Sequence, residues 1–138
     1  MSSETDTEAS ATSTGVVTKT SPASVTATVA RLVALVEAKG MKVFAVIDHS
    51  GEAERAGMAL RDTKVVIFGS PKAGTPVMQA VALAAVDLPL RVLIWDDGGE
   101  THVSYTAPGA LAARYAIPSA LAGNLAGIDA LTDALVSE

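Results

Sequence analysis

"LRVLIWDDGGETHVSYT", residues 90–106, decides the fold. Two β-rich runs flank an Asp-Asp-Gly-Gly segment, and Asp97-Gly98 is a strong short-range hairpin signal. Strands joined by so tight a turn run antiparallel, because a parallel pair needs a crossover of a dozen or more residues. Alternation sends Val103 and Tyr105 to one face of the ribbon and His102 and Ser104 to the other.

Working outward, "VVIFGSPKAGTPVMQ" (65–79) runs from a β-branched strand through a glycine-bracketed turn into "PVMQAVALAAV", a short apolar helix. Before it, "MKVFAVID" (41–48) reads as a partly alternating strand ending at His49, and "SGEAERAG" as a polar turn or single helical turn. "GVVTKT" (15–20) reads as another strand. "SPASVTATVARLVALVEAKG" (21–40) is the clearest helix, with Ser21 as its cap, Pro22 at its first position and Gly40 closing it. Val25, Val29, Leu32, Val33 and Val36 fall on one stripe that faces a sheet. Leu125, Ile128, Leu131 and Leu135 mark a last helix that caps the sheet. The expectation is an α+β two-layer domain, a mainly antiparallel sheet of four to five strands backed by helices.

Residues 1–14 hold acids and small or hydroxyl residues with no large apolar side chain after Met1, and read as a disordered acidic Ser/Thr-rich tail. Residues 15–138 form the single domain. With 138 residues and 49% apolar content the chain supports one core and not two. Three of its fifteen acids, Glu4, Asp6 and Glu8, lie in the first ten residues, leaving twelve against ten basic residues, a net charge near −2. That balance argues against a nucleic-acid partner. The absence of cysteine excludes disulfides, thiolate catalysis and cysteine-based metal sites. The N-terminus lacks the basic-then-apolar pattern of a secretory signal, and the apolar region 77–95 is broken by Gln79, Asp87, Pro89 and Arg91, so a cytoplasmic protein without a membrane span is expected.

Gly69 and Gly74 have the spacing of the glycines in GxxxxGK[ST]. Thr75 stands where that motif needs lysine, and Pro76 removes an amide donor, so a nucleotide-triphosphate loop is not expected. The simplest reading has Ser70 or Thr75 capping a helix with Pro71 or Pro76 at its first position. The functional reading has Lys72, the Thr75 hydroxyl and free amides holding a small polar or anionic ligand.

His49 beside Asp48 at a strand end is a candidate general base, but neighbours on a strand point to opposite faces, so Asp48 does not orient it directly. His102 reads as a solvated strand residue, and two histidines without HxH or HExxH spacing make no metal site. Asp96 and Asp97 are explained by the hairpin. Met41, Met58, Met78 and Trp95 read as core, and the chain has no c-type haem attachment motif, leaving only noncovalent haem.

In order along the chain, the strand ending in "IDH", "FGSPKAGTP", "DLPLRVLIW" and the "VSY" strand are similar to the bacterial and archaeal domain of unknown function family numbered 302, over roughly residues 15–137. The resemblance implies a compact α+β domain in a dimer-forming family, with no settled activity. It brings Asp48, His49, Pro71, Lys72, Gly74, Thr75, Asp87, Pro89, Trp95 and Tyr105 forward as recurrent positions. The chain departs from the family at Ser70 and Thr106, where asparagine is usual.

The leading expectation is therefore a homodimeric domain binding a small polar or anionic ligand through Asp48, His49, Lys72, Gly74, Thr75 and Tyr105. One alternative is an enzyme with His49 as general base and Lys72 as electrostatic stabiliser, which requires the two to share a pocket. Others are a structural or partner-binding dimer with no ligand, and noncovalent haem binding.

Overall fold

The computed structural model describes residues 14–137 and the backbone of Ser10 and Ala11. The sheet has the order β1-β2-β6-β5-β4-β3, with every neighbouring pair antiparallel. Its strands are β1 (Ser10–Ala11), β2 (Val16–Ser21), β3 (Lys42–Asp48), β4 (Thr63–Gly69), β5 (Leu90–Asp97) and β6 (Glu100–Thr106). Five full strands match the expected sheet. The two-residue β1 adds an edge inside the stretch read as a tail, and of that stretch residues 1–9, 12 and 13 lie outside the described residues.

The 90–106 stretch folds as its sequence indicates. Asp97 pairs with Glu100, and Gly98 and Gly99 turn the chain with φ of 68° and 111°, values that L side chains rarely adopt. The Asp96 carboxylate accepts the Gly99 amide at 2.8 Å and so serves the turn, while the Asp97 carboxylate bonds His102 Nε2 at 3.1 Å.

The helices are α1 (Val25–Ala38), α2 (His49–Arg55), α3 (Pro71–Ala80), α4 (Pro108–Tyr115), α5 (Ser119–Ala122) and α6 (Gly127–Val136). α1 starts later than its sequence suggests. Ser24, not Ser21, caps it by accepting the Ala27 amide at 3.1 Å, because Ser21 still belongs to β2 and bonds Thr28 across the strand-to-helix corner. Gly40, at φ 76°, follows its end as expected. The segment after β3 is a full helix, so His49 is a first-turn residue of α2 and Asp48 its cap. The strand β4 passes into α3 with Ser70 alone between them: Ser70 is the cap, Pro71 holds the first position, and Thr75 and Pro76 lie inside the helix. Gly69 closes β4 and Gly74 is helical, so neither makes the tight turn expected of it. α3 ends at Ala80, and a 3₁₀ stretch, Ala82–Asp87, leads into β5.

One face of the sheet carries Val17, Val66, Phe68, Val92, Ile94, Val103 and Tyr105, and Val25, Leu32 and Val36 of α1 with Ile128, Leu131 and Leu135 of α6 close over it. A second, smaller cluster of Val77, Ala84, Leu111, Ile117 and Leu125 forms among α3, the 3₁₀ stretch, α4 and the segment before α6. Leu90 packs against both clusters and ties them together. The opposite sheet face carries Ile47, Val65, Ile67, Leu93 and Trp95, and none of these belongs to either cluster.

Gly15, at φ 81°, sets the entry to β2, and its carbonyl accepts the Ala107 amide at 2.8 Å where α4 begins. A Cβ there would stand 2.7 Å from the Ala110 Cβ. Gly15→Ala is expected to cost about 2–3 kcal/mol, from left-handed backbone strain plus displacement of α4, read as a lower urea midpoint at unchanged slope.

Candidate functional site

The sequence candidates do not converge. β3 and β4 are antiparallel with Lys42 opposite Gly69 and Asp48 opposite Lys64. Asp48 and His49 therefore lie at one end of the strand pair and Lys72, just past Gly69, at the other, about 20 Å away at ~3.3 Å per residue. His49 and Lys72 are both exposed. Tyr105 is elsewhere again, buried on the helix-covered face, where its hydroxyl donates to Asp129 Oδ1 at 2.5 Å.

At the Asp48 end, one carboxylate oxygen accepts the Ser50 hydroxyl at 2.6 Å and the Gly51 amide at 2.9 Å. Those two bonds hold the Asp48 carboxyl below the usual range, with Lys64 adding charge. Ser50 Oγ also lies 3.3 Å from Asp62 and accepts the Thr63 amide, and Lys64 pairs with both Asp62 at 2.5 Å and Asp48 at 3.8 Å. Every carboxylate in this cluster already has an internal partner except Glu54, which borders the shallow, open depression beside it. Among the described residues no group of three or more metal-ligating side chains assembles.

At the Lys72 end there is a cavity of about 240 Å³. A β-bulge between Val43 and Ala45 breaks the alternation of β3 and turns the Phe44 ring into its wall. Gly69 to Pro71 and Ala73 to Thr75 form the adjoining wall, and Met78, Leu88, Pro89, Leu90 and Leu125 complete an apolar lining. Its polar groups are few: Ser70, Thr75 and Asn124, the last bracing the wall by donating to the Ala73 carbonyl at 3.0 Å. Of the sequence candidates, Gly74 and Thr75 line this cavity, while Lys72 is not in the lining. Lys42 is also outside the lining, but its ammonium lies 5.2 Å from the Phe44 ring centroid. Phe44, Met78 and Leu125 escape a sequence reading because apolar side chains at strand and helix spacing read as core, and no motif marks Asn124. The "FGSPKAGTP" motif was the one signal of this cavity.

Asp87 serves structure. Its carboxylate accepts the Tyr115 hydroxyl at 2.5 Å and the Arg114 guanidinium at 2.7 Å, and these hold its carboxyl below the usual range. A carboxyl lowered on folding contributes stability that is complete above its unfolded value and is lost as pH falls through the folded one. Wild type is therefore expected to lose stability below about pH 4, and Asp87→Asn to remove part of that acid sensitivity, about 1 kcal/mol by melting temperature between pH 7 and 2.

Among the described residues no helix is long and apolar enough to cross a membrane. The chain is 39% identical over 104 residues to "Fluoride-specific ion channel FluC 1" of Brucella suis, a match covering 75% of this chain and 41% of that protein. Proteins of Brucella abortus and Brucella melitensis, named Fluoride-specific ion channel FluC 1 and FluC 2, match at the same identity over 38% of their length. The chain thus spans about two fifths of the curated relatives it matches. Its fold is that of an uncharacterized conserved DUF302 protein from Bacillus stearothermophilus, with a TM-score of 0.76 at 17% identity, covering 88% of this chain and 95% of the other. A family model matches residues 17–135, from the first core strand to the last turn of α6, and the chain belongs to that family, the Domain of unknown function DUF302.

Proposed function

We propose that this chain binds a small, mainly apolar molecule with one acidic or hydroxyl end in the cavity between Phe44 and the first turns of α3. The observation that carries this reading is the cavity itself: apolar walls from four separate chain segments, with the hydroxyls of Ser70 and Thr75 on one side. Its volume of about 240 Å³ equals roughly eight waters' worth of liquid, which suits a short acyl chain or a single aromatic ring and is small for a porphyrin. Ser70 Oγ accepts the Ala73 amide, which leaves its own hydrogen free to donate to the ligand's polar end. Lys42 beside Phe44 favours an acid there.

This reading assigns no general base. The pairing of His49 with Lys72 needs a shared pocket, and the two stand at opposite ends of β3 and β4. Ligand-observed NMR and calorimetry with benzoate, benzyl alcohol, hexanoate and inorganic phosphate test the reading. Benzoate or hexanoate is expected to bind with a Kd of about 10–1,000 µM, as suits so few atoms, and phosphate not to bind. Phosphate binding alone, or no binding by any of the four, would reject it.

A second reading rests on the named relatives. The match of part of this chain to part of proteins named fluoride channels favours a chain that works beside an ion-transport protein. Growth of its source cells in fluoride, with and without the gene, tests it; unchanged tolerance removes this reading.

A further inference from the structure

The cavity has a floor without a side chain and a flat ring on either side of it. Gly69, the last residue of β4, borders the cavity together with Phe44 and Pro89. A Cβ on Gly69 would stand 3.9 Å from Phe44 Cε2 and 3.5 Å from Pro89 Cβ. Phe44 and Pro89 therefore flank the glycine, and these two atoms are no farther apart than the two distances laid end to end. A planar ring in van der Waals contact on both faces needs about 7–8 Å between its neighbours. The upper limit at Gly69 falls in that range, so nothing thicker than a flat ring passes between the two atoms. Lys42, paired with Gly69 across the strands, puts its ammonium over the Phe44 ring and steadies it there. Met78, whose Cε would meet a Cβ on Gly74 at 3.8 Å, adds a thioether to the lining, a group that favours the edges of aromatic rings.

We propose that the group this cavity takes is a planar aromatic ring carrying an acid, and that Phe44 and Gly69 select it over a saturated ring or an acyl chain. The proposal rests on the binding reading above and narrows its ligand to one chemical class. An aromatic ring gains from an offset face against Phe44 and from the Met78 thioether, contacts that a saturated ring of the same carbon count does not make. The saturated ring is also puckered and thicker, so it meets Phe44 and Pro89 before it reaches Gly69. A linear chain is thin enough to enter, but it leaves the flat walls partly uncovered and gives up the rotation of its own bonds on binding. Gly69 sets the thickness limit, because any side chain there takes up the space over which the ring lies. Ser70 and Thr75, at the start of α3, remain the partners of the acid end.

Calorimetric titration of the full chain with benzoate, cyclohexanecarboxylate and hexanoate tests the proposal, since these place the same carboxylate on a flat ring, a puckered ring and a chain. Benzoate is expected to bind about three- to tenfold tighter than either competitor. Phe44→Leu keeps an apolar wall without a flat face, and is expected to erase that preference and bring the three affinities within about twofold of one another. Gly69→Ala adds a methyl at ordinary contact distances in a strand, so its melting temperature is expected to equal or exceed that of wild type while benzoate binding weakens at least about tenfold. Cyclohexanecarboxylate or hexanoate binding as tightly as benzoate, a preference that survives Phe44→Leu, or benzoate affinity unchanged in Gly69→Ala would each overturn the aromatic ligand and leave the cavity reading standing. Binding of none of the three by wild type would overturn both.

Discussion

Lys19→Ala is expected to lower the stability of the domain by about 2–4 kcal/mol, more than removal of any other charged side chain. Lys19 is on β2 with the parity of Val17, so alternation carries it under α6, where it is 7% exposed. There its ammonium donates to Thr132 Oγ1 at 2.6 Å and to the Asp129 carbonyl at 3.1 Å, pairs with Asp133 at 2.8 Å, and lies 5.2 Å from the centre of the Tyr105 ring. Alanine removes these bonds together with the aliphatic stem that fills the space between β2 and α6. Lys19→Met, which keeps the stem, is expected to recover about half of the loss. Equilibrium urea unfolding of the three proteins checks both values.

The same cluster sets the alkaline limit. Burial alone would lower the Lys19 pKa, but the hydrogen bond with Asp133 and the contacts with Tyr105 outweigh it and leave it raised. Burial, then the bond to Asp129, raises Tyr105 as well. A lysine raised on folding contributes stability that is complete below its unfolded value, about 10.4, and is lost as pH rises through the folded one. Wild type is therefore expected to soften above about pH 10.5, and Lys19→Met to show a flatter alkaline limb.

Much of the fold was legible because it rests on local rules. The Asp97-Gly98 turn dictated antiparallel pairing, and the stripe from Val25 to Val36 dictated a helix against a sheet. The site was less legible, for two physical reasons. His49 and Lys72 are only 23 positions apart in sequence, yet antiparallel pairing of β3 with β4 sends strand ends in opposite directions. Nothing in either motif reports that separation without the register. Phe44 lines the cavity through a bulge, and a bulge breaks the alternation on which inward and outward assignments rest. Lys19 was readable in principle, since a lysine in phase with Val17 lies on the apolar face. A single charge in a short strand ordinarily marks solvent, however, and its partners on α6 are more than a hundred residues away.

Gly74→Leu is expected to abolish ligand binding while leaving the domain as stable as wild type or about 0.5–1 kcal/mol more so. Gly74 is inside α3 and lines the cavity. A Cβ at this position meets only Met78 Cε, at 3.8 Å, an ordinary contact. A leucine there extends into the cavity beside Met78 and occupies a large share of its volume of about 240 Å³. It also replaces a poor helix former with a good one, and these two consequences have opposite signs for binding and for folding. A defect caused by misfolding would move both the same way. Calorimetric titration with benzoate and a thermal melt on the same preparation separate them: binding weakened at least about a hundredfold with an unchanged or higher melting temperature places the ligand between Phe44 and α3. Retained affinity would move it out of this cavity, and His49→Ala and Lys72→Ala, expected to bind as wild type does, fix the comparison by altering the two exposed residues and leaving the cavity walls intact.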